Sequence, residues 1–194
     1  GLAEKAAPPA ELLAGAHFPP LAGTLAEASA LARMLPKASV LTGSKATKSA
    51  LVSAPAPRLL HIATHGFFLN SPEQNPLLRS GLALAGANVK RDGATILTAE
   101  EVAGLDLWGT QLVVLSACDT GLGEVRTGDG VFGLRRALVL AGAETQVMSL
   151  WTVSDVGTRD LMIGYYRALM AGRGRSAGWG SSEPFRELKK LPPG

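Results

Sequence analysis

Apolar residues in this chain gather in short, charge-free runs, each closed by glycine or polar residues. The clearest two are Leu59-Leu-His-Ile-Ala-Thr-His-Gly66 and Gln111-Leu-Val-Val-Leu-Ser-Ala-Cys-Asp-Thr-Gly121. Runs of this length, rich in Leu, Val and Ile, predict strands buried on both faces. The pattern gives strands at 58–64 and 112–117, with shorter ones at 39–42, 81–85 and 145–150. Pro55-Ala-Pro57 forces an extended approach to the first long strand. The two prolines within 66–80 mark a loop at its far end. Turn residues Arg91-Asp92-Gly93 and the glycine-rich stretch 121–130 supply two more loops.

Between the strands, helix signals recur. Thr24-Leu-Ala-Glu27 fits a capping box, which predicts a helix to about Leu35 that stops before Pro36. Residues 47–52 fit a short helix. Thr98-Ala-Glu-Glu101 repeats the capping pattern and opens a helix to about Gly104. A further helix spans 131–141 and is stopped by Gly142. Ser154 or Asp155 caps a last one, which reaches about Met170. Strands alternating with helices imply parallel βαβ units in an α/β fold, with helices on both faces of the sheet.

Composition narrows the function classes. At 194 residues, 46% of them hydrophobic, the chain can bury one sizeable core. Nineteen Lys and Arg against 16 Asp and Glu leave a net charge of +3, scattered rather than grouped, and aromatics are 5%. Neither property suits a nucleic-acid surface, so no direct nucleic-acid partner is expected. No stretch offers the roughly 20 apolar residues of a membrane span. Gly1 is not followed by a leader-like charged and apolar sequence, and the missing initiator Met suggests an excised piece. The expected location is cytoplasmic, which a single cysteine fits. Residues 1–19, rich in Ala and Pro, read as a loose lead-in. Residues 20–175 read as the domain. Residues 176–194, with Gly, Trp and Pro, read as a divergent or truncated tail.

Candidate chemistry lies at the carboxyl ends of the two long runs. His65 closes one and Cys118 the other, with 53 positions between them in sequence. Parallel neighbours would bring an imidazole beside a thiol, the arrangement of a cysteine–histidine hydrolase. Cys118 also reads as a small buried hydrophobe, and His61 as a packing histidine. His61 and His65 do not form a zinc pair, because i, i+4 ligation needs a helix and no third ligand is evident. Gly66 after His65 suggests a turn with an exposed amide, which with the Cys118 amide would hold an oxyanion. Gly128-Asp-Gly130-Val-Phe-Gly133 matches a dinucleotide pattern but does not come directly off a strand. Gly123 to Gly128 is followed by Asp129 where a phosphate-binding loop needs Lys.

Ala63-Thr-His-Gly-Phe-Phe68, Leu112 through Gly121, Gly130-Val-Phe-Gly-Leu-Arg-Arg-Ala137 and Ser149-Leu-Trp-Thr-Val-Ser-Asp155 occur in an order that resembles the CHAT domain. That family is related to the caspase-like cysteine peptidases, alongside separase and the gingipains. The resemblance covers roughly 20–175. It implies a caspase-like three-layer α/β/α sandwich with a mostly parallel central sheet and a histidine–cysteine dyad. His65 would be the general base, Cys118 the nucleophile, and the amides of Gly66 and Cys118 the oxyanion hole. Asp155 would select a basic side chain in the substrate, against the plainer reading of it as a helix N-cap. No cofactor or metal is implied. The partners implied are a protein or peptide substrate and a tetratricopeptide-type sensor region. A catalytically silent scaffold of the same fold is the alternative.

Overall fold

The structure is a computed structural model that describes residues 13, 16–69, 75, 77–89, 93–119, 129–148 and 155–174, with backbone alone for 117–119 and 129–132. It divides into two compact units, Gly1–Pro19 with Gly43–Trp151, and Pro20–Thr42 with Thr152–Gly194.

The first unit carries the sheet. Its strands are β1 (Leu59–Phe68), β2 (Ser80–Ala83), β3 (Ile96–Thr98), β4 (Leu112–Asp119) and β5 (Gln146–Met148), in the order β3-β2-β1-β4-β5. The β1–β4 and β4–β5 pairs are parallel, whereas β1–β2 and β2–β3 are antiparallel. Four strands therefore run in one direction and β2 opposes them. The α/β class and the mostly parallel sheet agree with the sequence. The antiparallel pairs correct the expectation of βαβ units throughout, because no described helix links β1 to β2 or β2 to β3, and a parallel return needs a crossover.

Of the two long runs expected to be buried on both faces, β4 is buried as expected, whereas residues 59–64 of β1 are only half-buried. Val113 and Val114 are fully buried, and Leu112 and Leu115 nearly so, which is what an uncharged run inside a sheet requires. One face packs Leu82, Leu97, Val113 and Leu115 against helices of the same unit. These are α3 (Ala99–Ala103), through Val102, and α4 (Asp129–Leu140), through Leu134, Ala137 and Leu138. Helix α3 begins as its capping box predicts. The Thr98 hydroxyl accepts from the Glu101 amide at 3.2 Å, and the Glu101 carboxylate accepts from the Thr98 amide at 2.9 Å. Lys48, on the short helix α2 (Lys48–Val52), reaches the same carboxylate and also donates to the carbonyls of Gly93 and Ile96. Burial alone would push the Glu101 carboxyl up. The hydrogen bonds from Lys48 and the Thr98 amide, with the Lys48 charge and the Thr98 hydroxyl, together hold it below the ordinary carboxylate range.

Three local expectations fail for identifiable reasons. Residues 39–42 form no strand. Val40 and Leu41 are 44% and 47% exposed, and a 3₁₀ turn follows at Gly43–Lys45, where Gly43 has φ +55°. The expected loop from Gly66 is instead the last part of β1, because Phe67 and Phe68 continue the apolar run and pair with β2. Strand β3 is not anticipated by the apolar pattern, which marks Thr98 as a helix start only. Thr98 is both the last residue of β3 and the cap of α3. The expected loop at 121–128, the turn residues 91–92, Ser154 and the tail 176–194 lie outside the described residues.

The second unit pairs α1 (Ala22–Met34) with α5 (Asp155–Met170). Thr158, Met162, Tyr165 and Tyr166 of α5 are buried, as are Glu27, Ala30 and Leu31 of α1. Tyr165 and Tyr166 meet edge to face at 5.7 Å. Burial first, then the neighbouring Tyr165 and Glu27, push the Tyr166 phenol above its usual value. The predicted capping box at Thr24 and Glu27 is not used. Helix α1 starts three residues earlier, Leu21 offers no side-chain cap, and Glu27 is 1% exposed.

Among the described residues, no helix is long and apolar enough to cross a membrane.

Candidate functional site

The parallel register of β1 and β4 sets the site. It pairs His61 with Val114, His65 with Cys118 and Gly66 with Asp119 along neighbouring strands. Neighbouring strands are separated by about 4.8 Å. The two residues singled out as base and nucleophile therefore stand side by side in the carboxyl-terminal halves of their strands. His61 lies four residues back, beside Val114, and not on this rung.

The His65 ring is held by residues Phe18 and Pro19. His65 is 9% exposed, and its Nε2 lies 2.6 Å from the carbonyl oxygen of Pro19. A carbonyl only accepts, so Nε2 carries the hydrogen and donates it. In the neutral ring Nδ1 is then the nitrogen with a free lone pair. The Phe18 ring stands 5.7 Å from the imidazole, tilted by 42°. Phe18 belongs to a second apolar cluster with Leu13, Ala16, Phe67, Ala83, Ala87 and Ile96. Leu13, Ala16 and Phe18 come from the stretch expected to be a loose lead-in, yet they are buried, at 2%, 4% and 7% exposure. Asn88 fixes the Phe18 backbone from both sides. Its Oδ1 accepts from the Phe18 amide at 2.9 Å, and its Nδ2 donates to the Phe18 carbonyl at 2.7 Å.

Sequence reasoning misses Phe18, Pro19 and Asn88. Phe18 stands out as an aromatic in a stretch otherwise short of bulky residues, which is a signal. A backbone carbonyl carries no side-chain signature, so nothing marks Pro19.

The Gly66 amide can be aimed from the ladder. Leu69 N donates to Arg79 O at 2.7 Å, which makes 69/79 a hydrogen-bonded rung of the β1–β2 pair. Such rungs alternate in an antiparallel ladder, so His65 and Phe67 turn their amides to β2, and Gly66 turns its amide to β4, into the parallel ladder and not into open space as expected. Gly66 is buried within β1 rather than in a turn.

Asp155 lies in the second unit, as the first residue of α5. Its carboxylate accepts from the Gly23 amide and, at 3.5 Å, from the Thr24 hydroxyl. It thereby caps α1, whose own N-cap residue cannot. Gly23 is required by this approach, since a Cβ there would sit 2.7 Å from Asp155 atoms, its backbone oxygen included.

A mostly parallel five-stranded sheet flanked by helices is consistent with the caspase-like fold class. The CHAT domain family matches residues 1–179, and the chain belongs to that family, a branch of the cysteine peptidase-like superfamily. Curated relatives include Tetratricopeptide repeat protein 28 of Homo sapiens, 36% identical over 87 residues, which is 45% of this chain and 3% of that protein. The protein of the same name from Mus musculus is 34% identical over 87 residues, 45% of this chain and 4% of its own length. The chain thus spans a small fraction of either relative. No solved structure matches.

Proposed function

We propose that the chain is a cysteine endopeptidase that works through a His65–Cys118 dyad. The observation that carries this reading is the shared rung of His65 and Cys118. Free thiols titrate near pH 8.5, so the nucleophile needs a base at neutral pH. With Nε2 bonded to the Pro19 carbonyl, Nδ1 is the atom that takes the Cys118 proton. The thiolate attacks the peptide carbonyl, whose oxygen becomes the oxyanion of the tetrahedral intermediate. The imidazolium then returns its proton to the leaving amine, and water releases the acyl-enzyme.

The substrate is a protein or peptide cut in the cytoplasm. Asp155 selects a basic residue there, in keeping with the CHAT resemblance. A tetratricopeptide-type region of the longer protein, or a partner bearing one, regulates the site. The name that the two relatives share supports that part of the reading.

The experiment is a peptide-library cleavage profile with the full-length parent protein, comparing wild type with Cys118→Ala. Cleavage that vanishes in the variant, with the fold intact, supports the reading. Equal turnover by the variant ends it, and absence of cleavage and of thiol labelling in activated wild type favours the silent scaffold. Asp155→Ala also uncaps α1, so specificity is judged by the ratio of kcat/KM for basic and neutral peptides, not by total activity.

A further inference from the structure

We propose that Asn88 is a positioning residue for His65, acting through the Phe18–Pro19 backbone; this rests on the dyad reading above. The side-chain amide of Asn88 brackets the Phe18 backbone with one accepted and one donated hydrogen bond, at 2.9 and 2.7 Å. That pattern copies the exchange of bonds in an antiparallel rung, and it fixes the orientation of Phe18. The next carbonyl, that of Pro19, is the one that meets His65 Nε2 at 2.6 Å. Its own ring fixes the φ of Pro19 and the following Pro20 confines its ψ to the extended region, so a fixed Phe18 leaves the Pro19 carbonyl little freedom to turn.

Apolar packing alone does not do this. The cluster around Phe18 holds the ring in place, but apolar contacts are non-directional and do not orient a carbonyl. Asn88 is an exposed residue just past β2, so burial gives no reason for its two bonds to that one residue. A ring set free to rotate presents Nδ1 to the thiol for less of the time. Misplacement of this kind costs about 10- to 100-fold in the chemical step. The loss falls on kcat, because Asn88 acts on the base through the Phe18–Pro19 backbone.

The test uses the whole chain and three variants, Asn88→Ala, Asn88→Asp and Asn88→Gln. Asn88→Asp keeps the acceptor for the Phe18 amide and loses the donor, and Asn88→Gln keeps both groups on a longer stem. Ring ¹⁵N spectra report the tautomer and the exchange protection of the Nε2 hydrogen, and the chain has three histidines to assign. The expected result is a protected Nε2–H tautomer for His65 in wild type. It is lost in Asn88→Ala and Asn88→Asp, partly restored in Asn88→Gln, and kcat falls in the same order with KM unchanged. An unaltered His65 signature in folded Asn88→Ala or Asn88→Asp overturns the proposal. The ring signature needs no turnover, so it separates failure of this inference from failure of the peptidase reading, which Cys118→Ala decides. Should Asn88→Ala fail to fold, the Asn88→Asp spectrum decides alone.

Discussion

Gly81→Ala adds one methyl group at a crowded rung of the sheet. Gly81 pairs with Phe67 on β1 and with Thr98 on β3. A Cβ there would overlap the Leu97 carbonyl oxygen and lie 2.6 and 2.9 Å from two carbons of the Phe67 ring. The ring has nowhere to go, being fully buried in the cluster that includes Phe18. The carbonyl can move only with β3, which is three residues long and pairs with β2 alone. Overpacking of this kind costs about 1–3 kcal/mol. The loss of denatured-chain entropy on replacing glycine returns only about 0.4–1 kcal/mol. The net destabilisation is therefore about 1–2 kcal/mol, a substantial part of the roughly 5–15 kcal/mol of a typical domain. Urea unfolding followed by circular dichroism measures it. Shrinking the ring isolates the two clashes, since in a Phe67→Leu background the methyl still meets the Leu97 carbonyl but no longer meets the ring. Gly81→Ala should then cost less by at least about 0.5 kcal/mol, the size of coupling expected between touching residues. A Gly81→Ala protein within about 0.5 kcal/mol of wild type, or an equal cost in both backgrounds, would show that the rung is not crowded as described.

Gly23→Ala should loosen the α1–α5 pair by about 1–3 kcal/mol, because its methyl strikes Asp155; protease sensitivity within 22–34 reads the effect. Lys48→Met should lower stability by about 1–2 kcal/mol, less than for a buried pair because the Glu101 side chain is 43% exposed and screened by solvent. Glu101 sits below its ordinary value, so its stabilisation is present above the unfolded carboxylate pKa and lost as pH falls through the folded one. The gap between wild type and Lys48→Met should accordingly narrow below pH 4.5, and a constant gap down to acid unfolding would count against it. Tyr166 is shifted upward, so its neutral form is stabilised by the fold. Stability should fall as pH rises past the unfolded phenol value, with Tyr166 ionising only on unfolding in an ultraviolet titration.

The backbone of the site is largely legible in the sequence because it is built from apolar runs. Residues 59–66 and 112–118 carry no Asp, Glu, Lys or Arg, and two such runs have few options other than neighbouring buried strands. What stays hidden depends on groups without a side-chain signal, or on residues far apart in the chain. Pro19 acts through its carbonyl, and Asn88 lies 70 residues from the backbone it brackets. The same capping motif forms at Thr98 and fails at Thr24. In the first case both halves are local, and in the second a carboxylate 132 residues away occupies the helix end. Strand β1 outruns its expected end because Gly66 looks like a breaker, whereas a glycine inside a sheet also permits close approach of neighbouring backbone.

Everything proposed for the site turns on the lone thiol and the His65 ring acting on each other, and the alkylation rate of Cys118 across pH, in wild type and in His65→Ala, reads that coupling without any substrate. Wild type should react faster near neutral pH, and the His65→Ala profile should shift toward that of an ordinary thiol. Superimposable profiles in two folded proteins would mean that the ring and the thiol do not interact.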